Sequence, residues 1–141
     1  MTTPLVRQAG VPFLDGLLIL ANAIEATTEQ YFDMTVWHRP RQRATKDRPA
    51  CGTASCAMGI ACTLPTFKQL GLRRATREHC FVPQFDGDHG FMAAARLFQI
   101  SLDDATWLFS SDSYLHTFPT PHSVVGRLRQ FVHNQRKYAN P

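Results

Sequence analysis

The chain has 141 residues, 44% of them hydrophobic, with ten Phe, two Trp, three Tyr, four Cys and a formal net charge of +4. That length fits one domain whose apolar content supports a core without disulfide or metal staples, which excludes a disordered chain and a small cysteine scaffold. The longest charge-free stretch near the start, residues 16–24, is far below the roughly 20 residues of a membrane-spanning helix, and no secretory pattern precedes it. The expectation is therefore a cytoplasmic protein with reduced thiols and no membrane contact.

Residues 12–26 predict a first helix. Pro12 suits its opening turn, and Phe13, Leu17, Leu18, Ala21 and Ile24 recur at helical spacing. In the following YFDMTVW, Phe32, Met34 and Trp37 read as apolar anchors. Residues 38–50 then turn basic, with Pro40 and Pro49 and almost no apolar side chain, the composition of an exposed loop. Thr53 is placed to cap a helix that runs to about Leu64. Its sequence is small or apolar on every side, which predicts a buried helix at the centre of the fold. Pro65 starts a short helix that Gly71 can end.

Residues 72–90 are the least regular. A short strand is expected within 79–85, where Pro83 would restrict it to a sheet edge. Asp86–Gly87–Asp88 has too few spaced oxygen ligands for a calcium loop and reads as a turn capping a helix from Phe91 to Gln99. Phe91, Ala94, Ala95 and Phe98 lie along one face of that helix. Ser101 and Asp104 form a capping pattern for the next, which carries Trp107, Leu108 and Phe109. Thr120 caps a terminal helix that Pro121 opens, with an apolar stripe of Val124, Val125, Leu128, Phe131 and Val132. The predicted fold is mainly α: one compact bundle of about five helices spanning 1–141, with one short β element near 79–85.

Charge is segregated along the chain. Residues 1–33 set Arg7 against Asp15, Glu25, Glu29 and Asp33, whereas residues 39–78 carry nine Lys or Arg against Asp47 and Glu78. Residues 86–112 are acidic, and Arg127, Arg129, Arg136 and Lys137 read as uncompensated in the terminal helix. Such a field favours a polyanion or an acidic partner surface.

FDMTVW at 32–37, CGTASCAMGIA at 51–61, and WLF at 107–109 before the Thr-Pro-capped helix occur together here. In this combination the chain resembles a group of small bacterial and phage-encoded proteins with the signature F-D/N-M-x-x-W … C-G-T-x-x-C-x-x-G. The likeness covers about residues 12–135 and is most specific at CGTxxCxxG. The group has no established activity, so the resemblance implies a shared fold. Phe32, Trp37, Cys51, Gly52, Thr53, Cys56, Gly59 and Trp107 are its structural positions, and Trp37 and Trp107 read as core anchors.

Three chemistries compete with a purely structural reading. Cys51 stands just before the predicted helix, where the dipole and free N–H groups favour a thiolate nucleophile. CGTASCAM locally resembles the nucleophile region of bacteriocin-processing peptidases, and His79 or His122 would supply the base. The β-rich half of such enzymes is missing from the pattern. Cys51, Cys56, Cys62, His79 and Cys80 are poorly spaced for zinc, so no metal or other cofactor is expected. The loop residues Arg39, Arg41, Arg43, Lys46 and Arg48 form a basic patch suited to phosphates or an acidic protein, without aromatic interleaving. The favoured reading is a non-enzymatic binding or accessory protein that acts through protein contacts, phage- or mobile-element-associated. Nucleic-acid binding and a Cys51 enzyme are the alternatives.

Overall fold

The computed structural model describes residues 7–27, 32, 56–77, 80–114 and 119–139. The basic loop, Trp37, Cys51, Gly52, Thr53 and His79 lie outside the described residues. The fold is mostly helical, with six α-helices and a small antiparallel sheet among those residues. None of the helices is long and apolar enough to cross a membrane.

Helix α1 spans Leu14–Glu25, two residues later than Pro12 implied. Phe13 takes the N-cap without a side-chain bond, and its N–H donates instead to the Phe98 carbonyl at 2.7 Å. Gly16 follows one turn on, where an added Cβ would sit 2.5 Å from the Phe13 ring, so only glycine fits. Leu17, Leu20, Ala21 and Ile24 form the buried face.

Helix α2 is Ala57–Ala61, and every residue in it is buried. The small, apolar composition therefore identified a central element, although the helix is shorter than expected. Cys56 is its N-cap with extended backbone. Its end follows from Thr63, whose N–H and hydroxyl both donate to the Ile60 carbonyl, and from Leu64, which as the residue before Pro65 is extended. Helix α3, Pro65–Leu70, ends at Gly71 in the left-handed region, φ 112°. There the Leu72 N–H bonds the Phe67 carbonyl and the Gly71 N–H bonds that of Lys68, a Schellman closure.

Residues 72–90, expected to hold one edge strand within 79–85, hold three strands. These are β1 (Arg73–Arg77), β2 (Cys80–Phe85) and β3 (Asp88–His89), in the order β1-β2-β3. β2 is thus central, contrary to the restriction placed on Pro83. The reason is geometric. In an antiparallel strand the N–H and C=O of a residue face the same neighbour. The Pro83 carbonyl accepts from the Gly90 N–H at 2.9 Å, beyond the two residues of β3, so the missing N–H also falls there and the β1 ladder is intact. Asp86 and Gly87, both with positive φ (52° and 85°), form the two-residue turn between β2 and β3. The turn does not cap the next helix; Gly90 does.

Helices α4 (Phe91–Phe98) and α5 (Leu102–Phe109) follow, the second capped as predicted by Ser101 Oγ accepting from the Asp104 N–H at 3.0 Å. A 3-10 turn at Ser111–Ser113 precedes α6, Pro121–Ala139. Thr120 Oγ accepts from the Ser123 N–H at 3.1 Å, and the whole predicted stripe of α6 is buried. The core centres on Phe98, with ring centroids 6.5 Å from Phe13, 5.6 Å from Phe67 and 5.8 Å from Phe109. Phe32 is buried in the same cluster. Trp107 is not a core anchor: it is 43% exposed, because the inward face of α5 is taken by Ala105, Leu108 and Phe109.

Candidate functional site

The two described thiols belong to the core. Cys56 sits at the start of α2, and backbone N–H groups of Met58 and Gly59 favour its thiolate. Burial outweighs them and pushes the thiol up to about 12. Cys62 is likewise pushed up to about 11 by burial, against the pull of Arg74 and Lys68, and its Sγ donates to the Arg73 carbonyl at 3.7 Å. A buried neutral thiol is a poor nucleophile. Among the described residues, no three His, Cys, Asp or Glu side chains gather as a metal site.

His122 lies exposed in the first turn of α6. With Glu25, Thr27, Thr120, Pro121 and Val125 it lines an open pocket of about 280 Å³ between the end of α1 and the start of α6. The hydroxyls there serve their own helices: Thr27 donates to the Ala23 carbonyl and Thr120 caps α6. The Glu25 carboxyl is held below its ordinary range by the Arg129 guanidinium, which donates to it at 2.7 Å. The proposed partners of His122, Cys51 foremost, lie outside the described residues, as does His79.

Two of the four terminal-helix cations that read as uncompensated have acidic partners. Arg129 bonds Glu25 and Asn22 of α1, and Arg136 pairs with Asp15 at 3.1 Å. Exposed pairs of this kind contribute little to stability, but they remove the charges from the free field. Arg127 donates to the Trp107 carbonyl and to both oxygens of Ser113. Arg96 pairs with Asp88, and Arg7 donates to the carbonyls of Arg96 and Leu97 at the end of α4.

Lys137 stays exposed without a side-chain bond among the described residues, and a basic cluster remains elsewhere. Lys68 near the end of α3 and Arg73 and Arg74 at the start of β1 are exposed. None makes a side-chain hydrogen bond or ion pair among the described residues. The Gly71 turn brings α3 back to β1, so Lys68 and Arg74 both act electrostatically on Cys62. Sequence reasoning centred the anion-binding surface on 39–48 and passed over this group, although residues 68–77 supply four of the nine cations in the basic half. No family model, no curated protein and no solved structure matches the chain, so its functional reading rests on these residues.

Proposed function

We propose that this chain is a non-enzymatic binding or accessory protein that acts through protein contacts made by its basic side, in the setting of a phage or mobile element. One observation carries the reading. The helix-end arginines are spent on α1 acids and carbonyls, whereas Lys68, Arg73 and Arg74 stand exposed with no partner among the described residues. Basic residues left free while others are paired fit a surface held for an acidic partner. Arg39, Arg41, Arg43, Lys46 and Arg48 belong to the same basic half of the sequence and are proposed to extend that surface. The resemblance to small bacterial and phage-encoded proteins supports the setting.

The test is a pull-down from nuclease-treated host lysate at matched salt, comparing the native chain with a variant carrying Arg39→Gln, Arg41→Gln and Arg43→Gln and with one carrying Lys68→Gln, Arg73→Gln and Arg74→Gln. Loss of a defined partner from both variants, with folding stability nearly unchanged, is expected. Identical partner lists for all three proteins would overturn the reading.

A further inference from the structure

The two faces of the small sheet differ. Along β2, Pro83 and Phe85 are buried on the side where α4 packs, and Gln84 between them points to the opposite side, because strand side chains alternate. The register sets Arg73 against Gln84 and Gln84 against His89. Directly opposed residues share a face, so Arg73, Gln84 and His89 stand in one row across all three strands. Neighbouring strands lie about 4.8 Å apart, which makes the row about 10 Å long. Arg73 is exposed, Gln84 and His89 are half-buried, and none of the three side chains has a hydrogen-bonding partner among the described residues. The opposed pair Ala75 and Val82 lies on the same face, also half-buried.

We propose that this row recognises an acidic polypeptide segment, with Arg73, Gln84 and His89 donating to its carboxylates and Ala75 and Val82 forming an apolar floor beside them. The proposal rests on the binding-protein reading and names the partner's chemistry. All three side chains carry N–H donors, and Arg73 can grip a carboxylate with two at once. In an extended peptide, alternate side chains are spaced about 7 Å apart on one face, so two carboxylates fit within the row. Arg74, opposed to the buried Pro83, turns to the other face, so Arg73 is the cation that makes the row complementary to such a segment. Single-stranded nucleic acid fits less well. It binds sheet faces by stacking bases on aromatic rings, and the described part of this face offers alanine and valine instead.

The experiment is fluorescence anisotropy of a labelled poly-glutamate peptide on the full chain at fixed low ionic strength, with a single-stranded oligothymidylate of matched charge as the second probe. Arg73→Gln should weaken poly-glutamate binding by about tenfold. Gln84→Ala and His89→Ala, which leave formal charge unchanged, should each weaken it by about threefold or more. Lys137→Gln, an equal loss of charge on α6, should stay within about twofold. Equal weakening by Lys137→Gln, absent poly-glutamate binding, or tighter binding of oligothymidylate through the same residues would each overturn the proposal. A lysate partner retained by an Arg73→Gln, Gln84→Ala, His89→Ala variant would overturn the row alone and leave the binding reading standing.

Discussion

The guanidinium carbon of Arg127 lies 3.6 Å from the centre of the Tyr114 ring. The same group is 4.4 Å from the Trp107 ring, and it donates to the Trp107 and Ser113 carbonyls at 2.7 and 3.1 Å. Tyr114 in turn donates to the Leu108 carbonyl at 2.7 Å. One side chain of α6 thereby joins the end of α5 to the turn that follows it. Lysine keeps the charge but not the planar fork or its stacking. Arg127→Lys should therefore cost about 1–2 kcal/mol in urea denaturation. An unchanged midpoint would show that the clamp contributes nothing.

Stability should fall in alkali. Cys56 and Cys62 are pushed up to about 12 and about 11 by burial, whereas an unfolded thiol ionises near about 8.5. Between these values the unfolded chain has lost protons that the folded chain keeps, so stability declines as pH rises. The contribution is complete below about pH 8, and its loss approaches about 1.4 kcal/mol per pH unit per thiol between the unfolded and folded values. Tyr114, also raised by burial, adds to the fall at still higher pH. Denaturation at stepped pH, repeated with Cys56→Ala and Cys62→Ala, should show a shallower alkaline slope in each variant.

Iodoacetamide separates the binding reading from the cysteine-enzyme alternative. Cys56 and Cys62 should alkylate slowly in the native chain at neutral pH and quickly in denaturant. Slow reaction at Cys51 as well would agree with a structural role there. Rapid, selective labelling of Cys51, lost in His79→Ala or His122→Ala, would establish a nucleophile with its base.

Gly59 lies in a helix with no exposed face. Gly59→Leu should overpack the centre and cost about 1–3 kcal/mol, read as a lowered urea midpoint. A native midpoint would show that α2 can shift without loss.

The elements whose signals are local were legible along the chain. Ser101 and Thr120 cap the helices they were expected to cap, Gly71 closes α3, and the apolar stripe of α6 is buried throughout. Each depends on one turn of backbone, or on a 3.6-residue period read along one helix. The composition of α2 likewise announced its burial, and that of Cys56 and Cys62. Tertiary structure decided the rest. RRATR lies in the stretch that reads as least regular because it has no apolar alternation to show, and only pairing with β2 makes it a strand. The tolerance of Pro83 in a central strand depends on the register, which turns its nitrogen toward β3, and on β3 ending at His89, before the position it faces. Trp107 left the core, and Arg127, Arg129 and Arg136 found partners, through contacts across helices far apart in sequence. For the same reason Lys68, Arg73 and Arg74 joined the candidate site only once the fold was assembled. Which cations are free is a difference between all cations and those that folding pairs, and only the assembled chain performs that subtraction.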